Sequence, residues 1–440
     1  MFLPTDRSVE FPNRYQLAPV AGTDNIADLT PAPGEVSDPG TLWNRQAARQ
    51  MQADLRTLPI APGYSVSAGD VVDVSGGQIV KTVEVAANVE NVIKTTAITD
   101  TAVCYLNSAY SVMVYAISNA TYARLIDNST GAAVGSEVSV YSGAASYLSL
   151  ARLSDTQFVV SYTASNGGFL VIGSVSDTTI SFGNAYAWGS GDPYSSPPGV
   201  IKVSDGKIFI VEKNTPANTA VTGVVFAYSG TTIQPSALGA ADLKHGMSDA
   251  SMVLLPDDSS GNHRVCVCFS DSGDGNKGKA VIATIDSANQ VTWGSVVTFG
   301  ESSSDAISCA EGGGIVLVSY VSGTSTNVVA LSISGTSISV SDKLSGIYTS
   351  DAENTSICAV GSSFALSLQA GGYCFALQYN NGKISSGTRY TFNSNTQSKY
   401  PSTAPISPSK FIVAYADHNN SNYGTTTILE VMGNQIAGSF

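Results

Sequence analysis

The sequence predicts an all-β fold, a seven-bladed β-propeller of four-stranded antiparallel blades, on three observations. Seven stretches read as the same apolar strand: SAYSVMVYAI, DTQFVVSYTA, GKIFIVEKN, NHRVCVCFSD, GGIVLVSYVS, SSFALSLQAG and SKFIVAYADH. Anchored at Tyr115, Tyr162, Glu212, Phe269, Tyr320, Leu368 and Tyr415, they recur at steps of 47, 50, 57, 51, 48 and 47 residues. Between them lie short strand patterns and turn residues, with no helical periodicity. A period near this size filled with short strands marks a propeller, whose blades bury their faces only against their neighbours. Six or eight blades are the neighbouring counts, because blades 3 and 4 match the pattern least well.

Each repeat supplies four strands in order. A first strand leads through a tight turn (LSDTQ, VSDGK, SPSK) into the apolar strand quoted above. A variable loop leads to a third strand such as GGFLVIGSVS, KAVIATID or NVVALSIS, and a second turn (SDTT, SGTT, SANQ, SGTS, NNGK) to a fourth. Gly, Asn, Ser and Asp give these turns their geometry. The last repeat stops at ILEVMGNQIAGSF, with little left for a fourth strand. Residues 88–100, NVENVIKTTAITD, are expected to pair with that blade, closing the ring from both ends and removing exposed sheet edges.

The propeller is assigned to residues 86–440, and what precedes it differs. Prolines at 4, 12, 19, 31, 33 and 39 forbid a helix in residues 1–40. There VEF, YQLAPV and IADLTPA read as short strands. The one convincing helix spans 41–58: Thr41 caps it, Leu42, Ala47, Met51, Leu55 and Leu58 form an apolar stripe, and Pro59 ends it. Residues 61–85 read as a small hairpin module, DVVDV and QIVKTVEV around Gly76-Gly77. Residues 1–40 have so little core of their own that they should dock on another subunit, and the helix offers its apolar stripe to a partner surface.

Composition excludes several function classes. Charged residues make up 12 % of the chain, against about 25 % in an average globular protein. The net charge is −13; residues 1–60 hold seven acids and five arginines, so the remainder carries −11. An acidic body argues against nucleic acid and anionic membrane surfaces. No run approaches a membrane span, and MFLPTDRSVEF lacks the apolar region of a secretory signal. The six cysteines lie at spacings unlike a zinc site, and Cys266 and Cys268 share one strand face. They are expected to be buried free thiols, made in a reducing compartment.

The N-terminal string carries a resemblance. FLPTDRSVEFPNRYQL, followed by TPAPGEVSDPGTLWN and the helix, resembles the attachment region of tail-fibre and baseplate-associated proteins of phages and prophages. Pro4, Arg7, Phe11, Pro12, Arg14, Tyr15, Pro31, Ala32, Pro33, Gly34, Val36, Gly40, Thr41 and Asn44 match that pattern, and SAGDVVDVSGGQIVK resembles a β-module that often follows. The chain departs at Leu42-Trp43, where a Pro-Leu pair is more usual. The resemblance covers residues 1–85. It implies a virion component made in the bacterial cytoplasm, mounted on other tail or baseplate proteins through Arg7, Phe11, Arg14, Tyr15, Leu42, Trp43, Met51 and Leu55. Trimers are common in that family, but no coiled-coil heptad here enforces a homo-oligomer.

Little in the chain points to catalysis. His245, His263 and His418 lie in three different repeats without ligand spacing, and no nucleophile elbow or phosphate loop is present. No cofactor is expected. The loop Asp271-Ser-Gly-Asp274-Gly-Asn276 looks briefly like a calcium loop, but it lacks the twelfth-position Glu and flanking helices. Scattered Asp and Glu leave a glycan-cleaving carboxylate pair on the central channel open as a third reading.

Geometry gives the better lead. Connections from strand 2 to 3 and from strand 4 to the next blade emerge on one face, and they are the long, variable set: 183–199, 213–220, 270–278, 345–354, 393–401 and 417–424. They carry Tyr186, Trp188, Tyr194, Tyr348, Tyr400, His418 and Tyr423. Aromatic faces with short polar groups suit a bacterial surface polysaccharide. The leading expectation is a receptor-binding protein. A purely structural virion protein is the alternative from another class.

Overall fold

The computed structural model describes residues 89–164, 167–188, 199–214, 220–350, 353–394 and 397–438, with backbone only for 212–214 and 220. It also describes the backbone of four strands nearer the N-terminus. The chain divides into two units, Met1–Ala86 and Ala87–Phe440.

In the first unit, Tyr15–Pro19 pairs with Ala27–Pro31 and with Val71–Ser75, which pairs with Gln78–Lys81. The extended segment and the expected hairpin thus share one sheet. Tyr15 opens its first strand. The expected helix 41–58 and Arg7, Phe11, Arg14, Leu42, Trp43, Met51 and Leu55 lie outside the described residues.

The second unit is a seven-bladed propeller. Blade 1 comprises Asp100–Tyr105, Tyr110–Ile117, Ala120–Asp127 and Ala133–Tyr141. Blade 2 comprises Ser146–Ser154, Gln157–Ala164, Gly167–Ser176 and Thr179–Phe182, with Tyr186–Trp188 as a second outer piece. Blade 3 comprises Val200–Ser204, Lys207–Asn214, Ala220–Ser229 and Thr232–Leu243. Blade 4 comprises Asp249–Leu255, His263–Asp271, Lys277–Ile285 and an outer strand split into Val291–Trp293 and Val297–Ser303. Blade 5 comprises Asp305–Gly312, Ile315–Ser322, Ser325–Ser334 and Ser337–Tyr348. Blade 6 comprises Thr355–Val360, Ser363–Leu368, Tyr373–Asn380 and an outer strand split into Lys383–Ser386 and Tyr390–Thr391. Blade 7 comprises Ser398–Pro405, Lys410–Asp417, Tyr423–Met432 and Gln435–Gly438.

The seven apolar stretches are the second strands. Each is sandwiched between two neighbouring blades, so both faces are buried and the sequence runs apolar without alternation. Tyr115, Tyr162, Phe269, Tyr320, Leu368 and Tyr415 are among the most buried side chains. The first strands pack against one another around the axis. Hydroxyls stitch them together: Ser149, Ser251, Ser308, Ser356 and Ser402 Oγ accept the backbone N–H of Val200, Cys309, Ile357, Thr403 and Val103 on the next blade.

The ring closes as expected. Glu90–Ala97 pairs with Tyr423–Thr427, while Gln435–Gly438 covers the remaining half of the same strand. Glu90 accepts from the buried Tyr415 hydroxyl at 3.0 Å. Lys94 bonds both carboxylate oxygens of Glu137 in blade 1, at 2.8 and 2.9 Å, and Glu137 also accepts from the Tyr115 hydroxyl. Arg124 donates to the Ile93 carbonyl, and Thr426 to that of Gly131. All six cysteines are buried and free; burial pushes the Cys104 and Cys358 thiols up to about 12.

Candidate binding face

The two faces of the ring differ. On one, many turns are two residues long: 155–156, 177–178, 205–206, 230–231, 313–314, 335–336, 361–362, 381–382 and 433–434. The connections 106–109, 128–132, 256–262, 286–290 and 406–409 are longer. On the other, here the crossing face, connections range from the two residues 118–119 to 3-10 turns at Ser272–Asp274, Ala370–Gly372 and His418–Asn420. Irregularity therefore concentrates on the face where recognition was expected, though 118–119 and 323–324 are as short as any turn opposite.

The crossing-face end of the axis carries three bulges. In blades 2, 5 and 7 two inner-strand residues stand opposite one buried tyrosine: Tyr147–Leu148 opposite Tyr162, Ala306–Ile307 opposite Tyr320, and Tyr400–Pro401 opposite Tyr415. The first residue of each bulge is left-handed, with φ of 55°, 51° and 51°. Bulky L-residues rarely adopt that conformation, and two of the three are tyrosines.

Carboxylates clip two of these bulges. Asp100 accepts from Thr101 N–H at 2.8 Å and Leu148 N–H at 3.0 Å, and also from Tyr147. Asp249 makes the corresponding bonds to blade 5, taking Ile307 N–H at 2.7 Å and bonding to Ala306 and Ala250. Pro401 has no N–H to offer, and at the corresponding place before it stands Thr355, whose hydroxyl bonds the Ala306 carbonyl instead. Burial raises both Asp100 and Asp249 to about 6, against the lowering effect of their N–H partners.

Tyr400 and Tyr147 are the side chains here best placed for a ligand. Tyr147 is 47 % exposed. Tyr400 is half-buried, and burial, then the nearby charges of Asp100 and Glu353, raise its hydroxyl above the usual range. Glu353 accepts from Gln369, which in turn accepts from Asn354 at 2.6 Å. A patch of tyrosine, carboxylate and amide groups thus spans blades 6, 7, 1 and 2.

The other expected contacts are dispersed. Trp188 is 4 % exposed and packs in the core between blades 2 and 3, so it offers no free ring face. Tyr186 is pinned there too, edge-on to Phe226 with its hydroxyl on the Pro235 carbonyl at 2.9 Å. Tyr348 packs against Tyr373 at 5.4 Å, and the Arg389 guanidinium lies over the Tyr373 ring. His418 Nδ1 lies 2.9 Å from Asn422 Oδ1, and Tyr423 begins the strand that pairs with Ala97. Tyr194 lies outside the described residues. Of the six that are described, only Tyr400 belongs to the patch at the axis.

The calcium-like loop is filled from within the protein. Lys279 Nζ bonds Asp271 at 2.7 Å and Asp274 at 2.8 Å, and His245 bonds Asp271 at 2.8 Å. An ammonium takes the place a cation would need, which corrects the weak metal reading of Asp271, Asp274 and Asn276. Burial pushes the Asp271 carboxyl up, but Lys279 and His245 outweigh it and hold it below the usual range. Among the described residues no group of three or more His, Cys, Asp or Glu could hold a metal ion, and no helix is long and apolar enough to cross a membrane.

Sequence reading missed Tyr147, Asp100 and Asp249. A signal existed: Tyr147 and Tyr400 each stand fifteen residues before their blade's anchor tyrosine, as Asp100 does before Tyr115.

No protein-family model matches the chain, and no curated protein matches it. Among solved structures it is similar to the β-propeller domain of Cps50 (Swd1) from Myceliophteria thermophila, at 10 % identity over 78 % of this chain and 100 % of that one, TM-score 0.52. It is also similar to hydrazine synthase from Kuenenia stuttgartiensis, at 11 % identity over 77 % and 96 %, TM-score 0.51. Such identities show the propeller fold alone.

Proposed function

We propose that the chain is a receptor-binding component of a phage tail or baseplate. Residues 1–86 mount it on the particle, and the crossing face of the propeller engages a bacterial surface glycan. The mounting role rests on the resemblance of residues 1–85. The observation that carries the binding role is the contrast of faces: short turns dominate one, while the other presents left-handed Tyr147 and Tyr400 beside Asp100, Glu353 and Gln369. Aromatic groups offer flat apolar faces, and carboxylates and amides take up hydroxyls.

The test is binding of the fluorescent full chain to a panel of bacterial cells and purified wall and capsular polysaccharides. Selective binding that is lost in Tyr147→Ala and Tyr400→Ala supports the reading. A folded chain that binds nothing favours a structural part of the particle. Release of reducing sugar would make it a glycan-degrading enzyme.

A further inference from the structure

Tyr147 and Tyr400 stand on blades 2 and 7, on either side of blade 1, and Asp100 of blade 1 ties them into one surface. Its carboxylate takes the N–H groups of Tyr147 and Leu148, and its charge acts on the Tyr400 hydroxyl. Tyr147 is the one aromatic among the exposed large hydrophobic side chains of the described residues. An exposed ring offers an apolar face that is also electron-rich, which attracts sugars and cations alike.

The charge around these rings has mostly one sign. Asp100, Asp249 and Asp305 open the inner strands of blades 1, 4 and 5, and Glu353 leads into that of blade 6. Glu353 and Asp305 are exposed. On the described ends of these strands the one base is Lys399; Lys244 and His245 stand on the connection into blade 4, where His245 is committed to Asp271. Elsewhere carboxylates have basic partners: Glu137 has Lys94, Asp155 has Arg152, Asp205 has Lys202 and Asp342 has Lys383. Among the described residues the four at the axis have none. They accept instead from N–H and hydroxyl groups, which leave the negative charge in place: Asp100 and Asp249 from backbone, Glu353 from Gln369 and Asp305 from Ser303. The repulsion registers in the titrating groups. Burial pushes Asp249 up, its N–H partners pull it back, and the charge of Asp305 raises it further. At Tyr400 burial acts first, and the charges of Asp100 and Glu353 add to it.

We infer that this surface selects a glycan bearing a protonated primary amine, with the tyrosine rings and the carboxylates of Asp100 and Glu353 as the counterpart of its ammonium. The complementarity is of charge as well as shape. A neutral sugar would meet the same rings and leave the field unrelieved, and an anionic one would be repelled. An ammonium relieves the repulsion, donates to the carboxylates and is attracted to the ring faces. This inference rests on the glycan-binding reading and adds which class of glycan the face takes.

Two probes differing only in that charge test it: a β-1,4-linked glucosamine tetramer and its fully N-acetylated counterpart, each titrated into the full chain beside the polysaccharide panel. The amine tetramer should bind about tenfold tighter, the combined effect of one ring face and one carboxylate. Glu353→Gln should weaken the amine tetramer about threefold and leave the acetylated one unchanged. Tyr147→Ala should narrow the preference about threefold, and Tyr147→Phe, which keeps the ring face, should retain it. Asp177→Asn removes the same charge from the opposite face and should change neither affinity. Glu353 and Asp177 are exposed, and Glu353→Gln keeps an acceptor for Gln369, so both variants should melt with the parent. Equal or tighter binding of the acetylated tetramer overturns the amine assignment, as does failure of both tetramers while a panel polysaccharide binds; either result leaves the glycan reading intact. An equal loss in Asp177→Asn overturns it too, because the attraction would then be to the acidic body as a whole. A folded chain that binds neither the tetramers nor any of the panel defeats the glycan reading itself.

Discussion

Glu137 holds the closing seam of the ring from two sides, so its removal should cost more than its position on an outer strand suggests. It receives both Lys94 bonds from the closing strand and the hydroxyl of Tyr115, which is fully buried. The Lys94 and Glu137 side chains are only 19 % and 24 % exposed. Glu137→Ala strands a lysine in a poorly solvated place and leaves a buried hydroxyl unmet. Breaking a buried pair costs about 3–5 kcal/mol; partial exposure puts this one at the lower end, about 3 kcal/mol. Unfolding entropy of about 2.1 cal/mol/K per residue, over a unit of this size, converts that to a fall of about 4 °C in melting temperature. Removing both charges with Lys94→Met and Glu137→Leu should cost less than the single change, because no orphaned ion remains. The assay is calorimetry of the parent, the single variants and the double variant, with amide exchange of Glu90–Ala97 as the local readout. The reasoning fails if Glu137→Ala leaves both the melting temperature and the exchange of Glu90–Ala97 unchanged, or if the double variant loses as much as the two singles together.

Three further outcomes follow from the same geometry. Asp100 and Asp249 have pKa values raised from 3.8 to about 6; the folded state therefore gains from them below about pH 4, and that gain disappears as pH rises through 6. Asp100→Asn with Asp249→Asn should flatten the stability profile between about pH 4 and pH 7, which denaturant melts across that range would check; an unaltered profile would refute the assignment. Lys279→Met leaves Asp271, 3 % exposed in its side chain, without its ammonium, and should destabilise by about 3 kcal/mol in urea unfolding. Gly168→Ala forces a methyl into the Trp188 ring, and should lower the melting temperature by a few degrees, about 1–3 kcal/mol by analogy with overpacked cores.

The parts of this fold that were readable in sequence are those where burial imposes a pattern. The second strands read clearly because both their faces are covered, so no alternation interrupts VMVYAI or IVLVSY. Ring closure by residues 88–100 was readable because the last repeat lacked material for its own outer edge. The candidate contact residues were not, for a physical reason. Trp188 and Tyr186 sit in a segment that looks like a loop by composition, yet Tyr186–Trp188 forms a short outer strand whose rings are spent on the interblade core. Tyr147 and Asp100 lie on inner strands, where sequence reports small residues and turn signals but not the left-handed bulge that turns one residue in each of three blades out of the regular ladder. The Asp271 loop misled in the opposite sense. Its acids resemble a cation site, but the lysine that neutralises them lies eight residues on and reaches back only because the two strands pair.

The bulges and their clips would let the proposed recognition concentrate near the axis without weakening the ring. A left-handed tyrosine costs backbone energy, of order 1–3 kcal/mol, and would normally relax by flattening the bulge. At Tyr147 that relaxation is blocked, because Asp100 of the preceding blade takes the N–H groups of both bulge residues. At Ala306 the same clip holds a side chain too small to contact much, so the clip serves the ring and not a ligand. The device is therefore structural first, and tyrosine at position 147 is the variable added to it. Tyr147→Ala should leave the clip, the pH profile and the melting temperature close to those of the parent, and change glycan binding alone. Tyr147→Gly, which removes the left-handed penalty as well, should melt higher than Tyr147→Ala by up to about 1 kcal/mol. If both variants instead melt well below the parent, the Tyr147 side chain is part of the packing, and the patch at the axis loses its best-exposed candidate contact.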